Sequence, residues 1–165
     1  MNTLPSLFAY KTWADTELLG LLQHAALTNP PDRLRSAIRR LNHVNVSDRI
    51  VRAHLIGERH AFADTNTEET PTVSALKADI LENDRWFEYY VSSSNPQQLQ
   101  EVVRFTFTDG DMGAMSREEM LLHVITHGGY HRGNVGEMLE RVGVDAPRDL
   151  YTRFLHYAQP ARRQA

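Results

Sequence analysis

Residues 116–143, SREEMLLHVITHGGYHRGNVGEMLERVG, restrict this chain more than any other stretch. Ser116 is followed three residues later by Glu119, a capping-box pattern in which each side chain satisfies the other residue's orphan backbone N–H. Gly143 suits the left-handed turn that closes a helix. The spacing predicts one helix of about 26 residues, roughly 39 Å long at ~1.5 Å per residue.

Turning that helix at about 100° per residue, with His123 at the origin, puts His127 near ~40° and His131 near ~80°. Met120, Val124, Val135, Met138 and Val142 share the sector, and Leu121, Ile125 and Leu139 extend it. Glu119, Glu137 and Glu140 lie on the far side. Two imidazoles therefore project from the edge of an apolar face, where a bundle interior meets a cleft.

Histidines four apart on a helix have Cβ atoms about 5–6 Å apart, close enough for two imidazoles to grip one metal ion. Among eight histidines in 165 residues, such pairs also arise by chance. The zinc-protease pattern H-E-x-x-H is absent, because Gly128 stands where its general base would be. A metal site here needs a third ligand from elsewhere in the chain.

The first helix is predicted from residue 3 to about residue 26, with Leu4, Leu7, Phe8, Leu18, Leu19 and Leu22 at helical spacing and Pro5 tolerated in the first turn. Trp13 is either a core residue or part of a pocket at the bundle mouth. After Asn29-Pro30-Pro31, a second helix starts between Asp32 and Ser36 and runs to Gly57. Its core-facing arc of Ala37, Leu41, Val44, Ile50, Val51 and Leu55 contains His43. His54 shares the face but lies eleven residues on, about 16 Å along the axis, too far to share an ion with His43.

Residues 60–72 are polar and read as a surface loop, and a third helix follows over residues 73–91. Residues 92–96 form a turn. Alternation in Val103-Arg104-Phe105-Thr106-Phe107-Thr108 then argues for a strand, closed by the turn signal Asp109-Gly110. Asp109 and Asp111 lack the calcium-loop pattern and fit a plain turn better. A short last helix is expected over residues 149–156. The architecture is all-α: an up-down-down-up four-helix bundle, a short β-hairpin or irregular insert before the fourth helix, and a short C-terminal helix, in one domain over residues 1–165.

Apolar content of 41% and charged content of 24% are those of an ordinary globular protein. With 18 basic and 21 acidic residues the net charge is −3, which offers no electrostatic footprint for nucleic acid. No cysteine is present, which removes disulfides, thiolate ligands and a cysteine nucleophile. The opening residues carry no apolar run of signal or membrane-spanning length, so a cytoplasmic location without membrane contact is expected.

Several segments together resemble the DinB/YfiT-like family of metalloenzymes. Tyr10-Lys11-Thr12-Trp13-Ala14 resembles its opening helix, and Leu41-Asn42-His43-Val44 with Asp48-Arg49-Ile50 its second. The most specific match is residues 123–133, HVITHGGYHRG. Asn134 stands where many members have Gln, a departure that touches a pocket contact. The resemblance implies that His43, His127 and His131 hold one divalent transition metal, nickel or zinc with iron as a further option, in a bundle that commonly dimerises. His123 is then given a supporting or packing role behind the pair, and His24, His60 and His156 none. Characterised relatives transfer low-molecular-weight thiols such as bacillithiol, mycothiol or glutathione, or carry out thiol-dependent isomerisation. The implied function is therefore a metal-dependent thiol S-transferase, or a related detoxifying transferase or hydrolase, acting on a small molecule. The competing reading is a non-catalytic metal-binding or stress-response protein with a structural ion.

Gly129, Gly133 and Gly136 fall roughly opposite the histidine pair. Three helix-interior glycines forfeit on the order of 3 kcal/mol of propensity, which close approach of another element would offset. Either the C-terminal segment around Leu150–Leu155 covers this stripe or a second subunit does; a two-fold homodimer is the expectation.

Overall fold

Asn29 and Pro30 alone separate the first two helices, α1 (Thr3–Thr28) and α2 (Pro31–Ile56). Pro31 opens α2 at a position whose missing N–H belongs to the first turn, where no intrahelical partner exists. Gly57, at φ 71°, closes it: the N–H of Gly57 donates to the His54 carbonyl at 3.2 Å and that of Glu58 to the Ala53 carbonyl at 2.9 Å. This is the paired pattern of a glycine-terminated helix. The computed structural model describes residues 3–163, so the ends of the 1–165 domain expected from the sequence lie outside the described residues.

The chain continues through α3 (Val73–Ser93), a single-turn α4 (Pro96–Leu99), an antiparallel hairpin of β1 (Val102–Thr106) and β2 (Met112–Ser116), then α5 (Arg117–Glu140) and α6 (Tyr151–Ala158). A 3₁₀ turn, Pro160–Arg162, follows. The turn expected at residues 92–96 thus runs straight into α4. Asn95 accepts from the Gln98 N–H and Gln98 accepts from the Asn95 N–H, both at 2.9 Å, a reciprocal cap short enough to escape a search for periodic segments. At α5 the Ser116 hydroxyl accepts from the Glu119 N–H at 3.1 Å, and Glu119 accepts from the Ser116 N–H at 2.7 Å. Regular helix stops at Glu140, but the Gly143 and Val144 N–H groups bond back to Glu140 and Leu139, both at 3.0 Å, with Gly143 at φ 80°.

Side-chain contacts define the helix directions. Thr12 of α1 meets Glu88 of α3 while Gln23 meets Lys77, so these two run antiparallel. Arg52 reaches Glu82 and Asn83 while Leu34 and Ala37 cluster with Leu76, so α2 runs parallel to α3. Arg117 donates to the Leu55 carbonyl while His43 faces His127, so α2 and α5 are antiparallel. The bundle is up-down-down-up, with α1 and α2 on opposite corners. Because α2 and α3 are parallel, residues 57–72 must travel back along the bundle, and Arg39 and Asn42 of α2 hold that loop through Thr67 and Thr70. Among the described residues, no helix is long and apolar enough to cross a membrane.

The interior is layered. One apolar cluster joins Leu18, Leu22, Leu41, Leu76, Val135 and Leu139; the other joins Leu4, Phe8, Leu55, Phe87, Phe105 and Leu121. Between them lies a buried polar layer centred on Lys11, whose ammonium sits 2.9 Å from Asp15 and 3.1 Å from Asp48 and donates to Asp84. Arg132 of α5 reaches Asp15 at 3.4 Å and, at 2.7 Å, Asp149 in the linker to α6. Burial works against the Lys11 charge, but the three carboxylates outweigh it and hold its pKa well above the ordinary value. Burial also pushes Asp48 up to about 6 and Asp84 up to about 7 against the pull of Lys11. Asp15 resists the same effect, because Lys11 and Arg132 together hold it below its usual range.

The glycine stripe is divided. A Cβ on Gly136 would stand 3.1 Å from Ala146, so the linker covers that end, whereas Gly133 has nothing within 4 Å. Only the Gly133 end is left for the second subunit that the sequence suggests.

Removing the cation from the polar layer leaves buried carboxylates without compensation, which typically costs about 3–5 kcal/mol. Lys11→Met should therefore lower the urea midpoint by that order in free energy, measured by circular dichroism. An unchanged midpoint would show that the layer contributes nothing net.

Candidate metal centre

His43 lies on α2 and His127 and His131 on α5. Antiparallel packing of the two helices brings the three rings to a common point. The Nε2 atoms of His43 and His127 are 3.3 Å apart, and those of His131 and His127 are 3.0 Å apart. One ligand atom from each residue lies within 4.8 Å of the others. Two nitrogens bound at about 2.05 Å to one tetrahedral ion stand about 3.3 Å apart, so the set has the spacing that a divalent cation requires. If the protons sit on Nδ1, the Nε2 lone pairs of His43 and His131 both lie within about 3.3 Å of that of His127, a crowding that a cation would relieve. Among the described residues, no further His, Cys, Asp or Glu joins the set.

The surroundings keep the imidazoles neutral, the form that binds metals. Burial pushes His127 down to about 4, and His131, His123 and His43 add to the effect. Burial likewise lowers His43, with Arg40 helping while the Thr65 backbone and Asp64 oppose it. His131 is lowered by burial, then by His43 and Arg40. The Nδ1 atoms of all three are buried without a hydrogen bond of normal geometry, so the Thr65 backbone approaches His43 only loosely. Ring packing orients them instead: His123 stacks on His127 with centroids 5.1 Å apart, and Tyr130 stands edge-on to His131 at 5.0 Å.

His123 is exposed and stacks on His127. The Asn134 amide donates to the Tyr130 carbonyl one turn back at 3.0 Å, so its side chain serves its own helix. Trp13 is engaged elsewhere. It packs on Tyr10, Phe154 and Tyr157 beneath the Arg153 guanidinium and fastens α6 to α1. His54 stacks on Phe105 at 4.9 Å and meets His60 at 5.2 Å, apart from the cluster.

Gly128, where H-E-x-x-H has its glutamate, has a physical reason to be glycine. A Cβ there would meet Arg132 Nη1 at 3.3 Å and Lys11 Cε at 3.7 Å, so the position faces the buried polar layer. Sequence reasoning passed over Lys11, Asp15, Asp48, Asp84 and Arg132. The available signal was Lys11 and Asp15 interrupting the α1 stripe of Leu4, Phe8, Leu18 and Leu22 at the same helical spacing.

An up-down-down-up bundle with three histidines converging from its second and last long helices defines a helical protein with a candidate metal centre. The chain matches the profile of the DinB family over residues 1–163, and it belongs to that family. It is 24% identical over 152 residues to Protein DinB of Bacillus subtilis strain 168, covering 87% of this chain and 88% of that one. The crystal structure of a DinB-like protein from Bacillus cereus ATCC 10987 superposes with a TM-score of 0.64 at 14% identity, over 84% of this chain and 90% of that one. At that identity the likeness speaks for the fold.

The depressed His127 pKa has a measurable sign. As pH falls from about 6.5 toward 4, the unfolded chain takes up a proton that the folded chain does not, so acid costs stability in this window. In metal-free protein the His127 ring resonances should keep their neutral positions to below about pH 5. A titration midpoint near the ordinary histidine value would contradict the burial argument.

Proposed function

We propose that this DinB-family protein binds one divalent transition metal, nickel or zinc with iron as a further option, through His43, His127 and His131. We further propose that it acts as an enzyme on a small molecule, as a thiol S-transferase or a related detoxifying transferase or hydrolase. The observation that carries the reading is the approach of the His43 and His131 Nε2 atoms, from two different helices, to within 3.3 and 3.0 Å of His127 Nε2, with one ligand atom of each residue within 4.8 Å of the others. Three protein ligands with His43 and His127 half-exposed favour an open coordination sphere over a closed structural one.

When bound, such an ion supplies a Lewis acid that lowers the pKa of a coordinated water or thiol. The chain's own contribution is positional. The two helices hold three neutral imidazoles in register, and His123 and Tyr130 fix the ring planes. A chain without cysteine draws any thiol from solution, which fits a low-molecular-weight thiol as cosubstrate. The alternative, an ion that only ties α2 to α5, requires the site to be closed to added ligands.

Metal content and cobalt spectroscopy test both parts. His43→Ala, His127→Ala and His131→Ala should each lose the ion by elemental analysis, while His54→Ala and His156→Ala retain it. A thiol added to the cobalt-substituted protein should shift its visible absorption. Stoichiometric metal in His127→Ala would remove the ligand assignment, and a spectrum indifferent to every small ligand would favour the structural ion.

A further inference from the structure

Beside the histidine cluster, between the hairpin and helices α2 and α5, lies a cavity of about 280 Å³. Its apolar walls are Ile50 and Val51 of α2, Phe105 of β1, Met115 of β2 and Met120 of α5. Phe105 pairs with Gly113 across the hairpin, and a Cβ on Gly113 would stand 2.7–2.8 Å from the Phe105 and Phe107 rings. The glycine thus lets both rings fold back over β2, where they meet edge-to-face at 4.8 Å and roof the cavity.

The cavity touches the candidate metal centre through two residues. His123 lines it and stacks on His127, so one imidazole separates the cavity from a proposed ligand. Thr65 also lines it, and the Thr65 backbone faces His43. No carboxylate, lysine or arginine is among its lining residues; the polar groups there are the imidazoles and the hydroxyls of Ser47, Thr65 and Thr108. A charged ligand would lose its hydration with no counter-ion to replace it. An apolar cavity of about 150 Å³ is large enough to hold benzene, and this one is nearly twice that size.

We propose that this cavity binds an uncharged aromatic molecule of one or two rings, and that it holds the apolar part of the substrate while the reactive end passes His123 and Thr65 toward His43 and His127. The role as a substrate site rests on the metal-enzyme reading above; the binding does not. Methionine side chains make adaptable contacts with aromatic rings, and two of them face this space.

They also report on it. Protein carrying ¹³C-methyl methionine is titrated with indole, metal-free and zinc-loaded. Met115 and Met120 should show saturable ring-current shifts, whereas Met138, packed in the other apolar cluster, stays in place. Val51→Phe, which fills the cavity, should weaken the shifts at least tenfold. Unmoved Met115 and Met120 signals at about 1 mM indole, or equal shifts at Met138, would overturn the proposal. Indole binding in a protein that retains no zinc would keep the binding site and remove its link to the metal.

Discussion

A single buried ammonium holds the long helices to one another. Lys11 of α1 contacts Asp48 of α2 and Asp84 of α3, and through Asp15 it is joined to Arg132 of α5. Charges with 0–7% of the side chain exposed are costly to desolvate unless every partner is in place. The network therefore tolerates one arrangement of the four helices and penalises sliding or rotation of any of them, a restraint that the two apolar clusters above and below it do not supply.

The histidine cluster inherits that restraint. His131 precedes Arg132 in α5, and His43 lies five residues before Asp48 in α2, so the same or adjacent helical turns carry the proposed ligands and the ion pairs. Gly128 shows how closely the two are joined: the space that a side chain would take there belongs to Arg132 and Lys11. The linker to α6 belongs to the same assembly, since Asp149 takes both the Arg132 guanidinium and the Tyr10 hydroxyl. Burial and the Asp149 carboxylate push the Tyr10 phenol up to about 12, which keeps it a neutral donor.

Local chemistry made much of this legible in advance. The Ser116–Glu119 cap, the breaks at Pro30 and Gly57 and the alternation at Val103–Phe105 each act within a few residues, and periodicity placed His43 in a core-facing arc. What stayed hidden depends on partners distant in sequence. Lys11 reads as a surface residue until Asp48 and Asp84 arrive from two other helices. Trp13 has the composition of a pocket residue, and only the packing of Phe154 and Tyr157 shows that it anchors α6. The hairpin was visible, but its function as the roof of a cavity depends on Gly113 opposing Phe105, a matter of register rather than of pattern.

The proposed function requires the folded bundle to present three imidazoles to one ion and to leave room for further ligands. X-ray absorption of the zinc-loaded protein measures this directly, because imidazole rings give distinctive multiple-scattering features. Three imidazole nitrogens at about 2.0–2.1 Å together with at least one non-imidazole ligand are expected. A spectrum that fits two imidazoles or fewer, or a shell made of carboxylate and water oxygens alone, would contradict it.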